Sequence, residues 1–371
     1  AFSLFSRQPS LVFPMLIRTI VSRVSARAST GAANGPIARS MATAVTFDKP
    51  GNPRRVLRRG ETNPGEVGPN DVLVEMFAAP VTHADLRAIE TGAVAAGVAG
   101  SEGLGVVTRV GSSVKGVKAE DWVIPGRTGL GTWRTELVTS ADSVLVVDKT
   151  IPQEEAASLV PAMVASRLLS QFVQLGKGDW LVQNCANSAV GKAVIQLARE
   201  RGVKTLNVVR SRGDTAAVVD LLKDFGGDVV VSGEYLESGE FRSKVLRELP
   251  APKLALDAAG GELCTAVARP LAAGGVVVAY GNASRKGVRV PTSALLERDI
   301  QVRGFNFGKW FDAAPREEKA GLVAELTGLV AADKLRSMTV RYSFGREFDV
   351  AVGMVDQRGR ERRPLLMFKD E

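Results

Sequence analysis

The order of periodic segments predicts an α/β chain: a doubly wound parallel sheet, with a β-rich region ahead of it. Three observations carry this. Residues 180–197 open with an apolar run that reads as a buried parallel strand. They pass through a turn of small residues and leave with apolar residues at helical spacing. Residues 204–210 then read as a second strand, so strand, small-residue turn, helix and strand form the first unit of a dinucleotide-binding fold. Beyond residue 214 strands and helices alternate, the signature of a parallel sheet with helices on both faces. From residue 44 to about 164 the strands are short and divided by Gly, Pro and Asp turns.

In chain order, residues 1–44 are Arg-, Ser- and Ala-rich, the composition of an organellar transit peptide, and no acidic residue precedes Asp48. Residues 72–76, 105–110 and 122–125 are the strands of the β-rich region. Residues 154–172 carry helical spacing and lead into the parallel sheet. That sheet continues as helix 214–225, strand 228–231, strand 253–258, helix 262–271 and strand 275–280. After residues 301–305, a helical segment over 315–332 and a strand-like segment over 364–368 are expected to return to the first domain. The basic run 358–363 reads as a solvated turn.

Composition removes several classes of function. A chain of 371 residues is long enough for two sizeable domains. Two cysteines, Cys185 and Cys264, make no disulfide framework. With His83 the only histidine, no Cys/His zinc site can be assembled, and a Ser-His-Asp triad would need that one residue. His83 reads as structural or exposed. The net charge is +8, but Arg7, Arg18, Arg23, Arg27 and Arg39 belong to the leader, and +3 remains without them. So mild a charge gives no sign of nucleic-acid binding. No apolar run has the length of a transmembrane helix.

The turn at 183–191 has a physical purpose. A pyrophosphate needs backbone N–H groups at a helix N-terminus with no side chain in its path. Of the usual glycines only Gly191 remains, and Ala189 stands where another is expected. Arg210 and Arg212 follow the second strand, where an acid would accept the ribose 2′-hydroxyl of NAD and an arginine accommodates the 2′-phosphate of NADP. The pair therefore points to NADPH.

Several motifs resemble the mitochondrial trans-2-enoyl-thioester reductases, the zinc-free, NADPH-using branch of the medium-chain dehydrogenase/reductase superfamily. They are residues 107–116, 121–125, the Gly-Thr-Trp-Arg-Thr string at 131–135, the turn at 183–198 and Asn-Val-Val-Arg at 207–210. The similarity covers residues 45–371. It implies a GroES-like catalytic domain over 45–164 and 308–371, and a Rossmann-type NADPH domain over 165–307. It also implies a homodimer, and reduction of an enoyl-ACP or enoyl-CoA in the mitochondrion. Asn187, Ser188, Ala189, Val190, Gly191, Arg210, Arg212, Tyr280, Gly281 and Phe305 fall at cofactor-binding positions. The family's catalytic tyrosine falls on Ala93, in a loop that is shortened here. Pro161 and Val164 replace an asparagine and a threonine on the nicotinamide side, and Asn282-Ala283 replaces Gly-Met after Tyr280-Gly281. Two expectations follow. In one, the chain is a catalytically impaired subunit of a larger mitochondrial assembly. In the other, it is a working NADPH-dependent reductase with its acid supplied by water or by another residue, such as Thr91. A quinone-reductase-like relative is a third reading.

Overall fold

Residues 41–210, 215–355 and 361–369 are described by the structure, a computed structural model; residues 1–40 of the expected leader and Arg212 lie outside them, and the leader's last residues, 42–44, belong to a strand instead. β1 (Ala42–Phe47) buries Ala42, Ala44, Val45 and Phe47, and after the short helix α1 (Pro53–Val56) the chain returns as β2 (Arg58–Thr62), antiparallel to β1. β3 (Asp71–Pro80) is the long central strand of the β-rich part. Helix α2 (His83–Thr91) starts at a reciprocal capping box. The Thr82 hydroxyl accepts from the Asp85 N–H, and the Asp85 carboxylate accepts from the Thr82 N–H. It stops at Gly92, whose φ of 72° is the left-handed cap that glycine adopts without cost. The chain continues through β4 (Gly97–Val98), β5 (Leu104–Val110), β6 (Trp122–Pro125), β7 (Glu136–Ser140) and β8 (Val144–Val147).

The helical stretch expected over 154–172 is two helices, α3 (Gln153–Ala157) and α4 (Val160–Ser170). The break is local: α3 ends at Ser158, and Pro161 sits in the first turn of α4, where a missing N–H costs nothing. Next come β9 (Trp180–Gln183), α5 (Ala189–Glu200), β10 (Lys204–Val209), α6 (Thr215–Asp224) and β11 (Val229–Ser232). After the short helices α7 (Gly233–Glu237) and α8 (Gly239–Phe241) follow β12 (Leu254–Asp257), α9 (Glu262–Ala268), β13 (Val276–Ala279), α10 (Thr292–Arg298) and β14 (Gln301–Gly304). These six strands form one parallel sheet in the order β11-β10-β9-β12-β13-β14, the doubly wound arrangement. The inner strands are buried on both faces, which is why they read as unbroken apolar runs.

The last segment is α11 (Phe307–Ala313), α12 (Arg316–Ala331), β15 (Thr339–Ser343), α13 (Phe348–Val355) and β16 (Arg363–Met367). β16 pairs antiparallel with β3, so the chain's end joins the β-rich sheet, ordered β15-β16-β3-β5-β6-β8 with β7 also on β3. Of the basic run 358–363, residues 358–360 lie outside the described residues, and its last residue is not solvated. Arg363 is buried on β16, because its guanidinium meets the Glu102 carboxylate 2.6 Å away.

Candidate cofactor and substrate cleft

The turn between β9 and α5 is held by a buried amide network. The Gln183 side-chain amide donates to the Gly191 carbonyl at 3.0 Å and to Asn207 Oδ1 at 2.8 Å. Asn184 Nδ2 donates to Asp257 Oδ1 at 2.6 Å, and Asn184 Oδ1 accepts from the Ala258 N–H at 2.8 Å. Three adjacent strand ends are thereby fixed to one another. Ser188 caps α5, its hydroxyl accepting from the Gly191 N–H at 3.0 Å. The first N–H groups of a helix have no partner within it. Ala189 and Val190 therefore present theirs at the positive end of the helix dipole.

Gly191 is required by close packing. A Cβ there would stand 2.5 Å from the Ala186 carbonyl oxygen and 2.7 Å from its Cα. Ala189 needs no glycine conformation: it is the first helical residue, with its methyl exposed. The residue in the left-handed region is Cys185, at φ 50°. Burial pushes its thiol pKa up, against a lowering by the neighbouring Arg210.

A cleft of about 1320 Å³ runs past this helix start. Asn187, Ser188, Ala189, Val190, Arg210 and Gly281 line it, as do Pro161, Val164 and His83. Gly191 lies just beneath. Tyr280 points inward, and its buried hydroxyl has no hydrogen-bond partner among the described residues. Burial raises the phenol pKa, as do the nearby Cys185 and Asp257. Phe305 packs in the core, edge-on to Phe172 with ring centroids 5.8 Å apart. Ala93 is exposed beyond the end of α2, its N–H bonded to the Ala88 carbonyl at 2.9 Å, and is not among the residues lining the cleft.

One arm of the cleft is apolar, with Ile124, Leu159, Phe307, Phe311 and Leu335 on its walls. The buried ammonium of Lys319 secures that arm, donating to the carbonyls of Gly126 and Phe311. The floor is polar, and sequence reading did not find it. Ser101 Oγ donates to Asp85 Oδ1 at 2.5 Å, and Thr82 Oγ to Asp85 Oδ2 at 2.7 Å. Beside them stands the Glu102–Arg363 pair. The Gly-Thr-Trp-Arg-Thr string holds this floor from below. Thr132 Oγ donates to the Glu102 carbonyl at 2.7 Å, and buried Trp133 packs where any side chain at Gly100 would have to go. The Thr82-x-x-Asp85 capping pattern was the one available signal; Glu102 and Arg363 are too far apart in sequence to be paired from it.

Burial, and then the charge of Glu102, push the Asp85 carboxyl up to about 6. Its folded value exceeds its unfolded one, so the native state binds the extra proton. The stabilisation is complete below pH 4 and is lost as pH rises through 6. Asp85→Asn should remove that loss. In denaturant titrations at pH 4 and pH 7, the difference in stability between wild type and variant should change by about 2 kcal/mol. An unchanged difference would mean that Asp85 ionises normally.

Among the described residues no group of three or more His, Cys, Asp or Glu is placed to hold a metal ion, and no helix is long and apolar enough to cross a membrane. Residues 68–149 match the family model for the alcohol dehydrogenase GroES-like domain, and residues 189–327 that for the zinc-binding dehydrogenase. The chain is 40% identical over 334 residues to the mitochondrial enoyl-[acyl-carrier-protein] reductase of Dictyostelium discoideum, covering 88% of this chain and 95% of that one. It superposes on a complex of Etr1p with NADP and crotonyl-CoA at a TM-score of 0.81. Identity there is 26%, with 89% of this chain and 100% of that one covered. The Etr1p/Etr2p heterodimer of mitochondrial 2-enoyl thioester reductase from Candida tropicalis gives the same values.

Proposed function

Because the chain belongs to the mitochondrial enoyl-[acyl-carrier-protein] reductases, zinc-free members of the medium-chain dehydrogenase/reductase superfamily, we propose that it binds NADPH and reduces enoyl thioesters with impaired turnover. The observation that carries this reading is the start of α5, which opens on the cleft with Arg210 at its rim. The residues present fit the cofactor. The N–H groups of Ala189 and Val190 suit a pyrophosphate, Arg210 suits a 2′-phosphate, and the methyl of Ala258 and the bare backbone of Gly281 leave room beside them. When bound, NADPH supplies a hydride for the β-carbon of the substrate. The apolar arm takes the acyl chain and excludes water from it.

Impairment rests on the lack of any tyrosine among the described residues lining the cleft; Ala93, where the family tyrosine falls in sequence, is an alanine and stands outside it. An alanine can neither donate a proton nor polarise a carbonyl, and losing one such contact costs a transition state ~3–4 kcal/mol, a factor of 10²–10³. The direct test is NADPH oxidation with crotonyl-CoA by purified protein. Measurable turnover at least tenfold below that of an active relative is expected; equal turnover would overturn the impairment, and no turnover would overturn the reductase. Ala93→Tyr is expected to change kcat by less than about threefold, because position 93 stands in solvent outside the cleft. A hundredfold gain would show that the loop brings that position to the substrate.

A second role, as a subunit of a larger mitochondrial assembly, draws on a different surface. The edge strand β14 is exposed along its length, with Val302 43% exposed, and on α10 Leu296 is 80% exposed. Such an edge can pair with another chain. A sedimentation mass of twice 39.3 kDa would assign that edge to a second copy of this chain, and a far larger mass to an assembly.

A further inference from the structure

We propose that Ser101, backed by Asp85, delivers the proton that completes reduction of the enoyl thioester, in place of a tyrosine at position 93. The inference rests on the reductase reading above and assigns its missing acid. Four observations support it. Ser101 is half-buried and lines the cleft, whereas Asp85 lies fully beneath it with its carboxylate 2.5 Å from Ser101 Oγ. Thr82 holds the other carboxylate oxygen through both its hydroxyl and its N–H, so Asp85 Oδ1 is turned toward Ser101. Glu102 and Arg363, each more than nine-tenths buried, leave Glu102 Oε2 and Arg363 Nη1 without hydrogen-bond partners among the described residues. These unsatisfied atoms mark the floor as a polar site incomplete on its own. Finally, the floor adjoins the cofactor helix: Lys192, one turn into α5, donates to the Glu361 carbonyl, two residues before Arg363.

Hydride addition at the β-carbon moves the π-electron pair of the C=C bond to the α-carbon and the thioester oxygen. The α-carbon then forms a C–H bond with the Ser101 hydroxyl proton as that O–H bond breaks. The Asp85 carboxyl proton passes to Ser101 Oγ, leaving Asp85 ionised, and solvent returns the proton after the product leaves. Ser101 is the catalytic residue, and Asp85 acts through it. The charged groups facing Asp85 are Glu102, from the loop before β5, which favours the protonated carboxyl, and Arg363, from β16, which opposes it.

The test compares wild type, Ser101→Ala and Ser101→Thr in two measurements. In the protein without cofactor, the ¹³C resonance of the Asp85 carboxyl should titrate near pH 6. Its midpoint should move upward in Ser101→Ala, which removes a donor to the carboxylate, and stay put in Ser101→Thr. With NADPH and crotonyl-CoA, wild-type kcat should decline as pH rises through the same midpoint. Ser101→Ala should lower kcat about 10²-fold and erase that decline, with NADPH affinity unchanged, and Ser101→Thr should hold kcat within threefold. Full activity and an unchanged pH profile in Ser101→Ala would overturn the proton delivery and leave the reductase standing. Absence of turnover in wild type, with the Asp85 titration intact, would instead overturn the reductase reading and the delivery with it.

Discussion

Gly191→Ala is expected to abolish measurable NADPH binding and to destabilise the protein. The added Cβ would meet the Ala186 carbonyl oxygen at 2.5 Å and the backbone carbons of the same residue at 2.7 Å. These are main-chain atoms within a fixed turn. Asn184 ties the turn to β12, and Gln183 ties the Gly191 carbonyl to β9 and β10. The helix start must move away from the turn, and overpacking of this kind costs about 1–3 kcal/mol. The same movement displaces the N–H groups of Ala189 and Val190, so affinity should fall at least about 100-fold, equivalent to about 2.8 kcal/mol. Calorimetric titration with NADPH and thermal melting of the cofactor-free variant check both effects. An unaltered affinity would place the cofactor elsewhere.

Arg210→Ala should weaken NADPH about tenfold to a hundredfold and leave NADH affinity unchanged. A hydrogen bond to a charged group contributes about 1.5–3 kcal/mol. The upper end is excluded by the exposure of Arg210 at the end of β10. The contrast between the two cofactors is the informative part. A general loss of fold or of the turn would weaken both, whereas loss of a 2′-phosphate contact weakens only one. Equal weakening would remove Arg210 from the phosphate site.

The parallel sheet was legible because buried parallel strands need no alternation. The runs 204–210, 253–258 and 275–280 are largely apolar and buried on both faces, and the folded strands lie within them. The break in the helix at Ser158 was less legible, since apolar spacing continues through it and only Pro161 marks the restart. The turn at 183–191 was read for its glycines. Its demands prove to be one close approach, at Gly191, and one left-handed residue, which is Cys185 and not a glycine. The polar floor was beyond the reach of spacing. Asp85 and Ser101 meet across a loop, and Arg363 arrives from the other end of the chain, joined only because β16 pairs with β3. Tyr280 and Phe305 show the opposite limit. Each sits beside a strand end where a cofactor contact is expected, yet one has its hydroxyl buried and the other its ring packed in the core.

The measurement closest to the centre of this account is fluorescence titration of the purified protein with NADPH and, separately, NADH. Saturable binding, at least tenfold tighter for NADPH, is the expected result if, as proposed, the α5 N-terminus holds the pyrophosphate common to both cofactors and Arg210 the 2′-phosphate of one. No saturable binding of either, or equal affinity for the two, would contradict it.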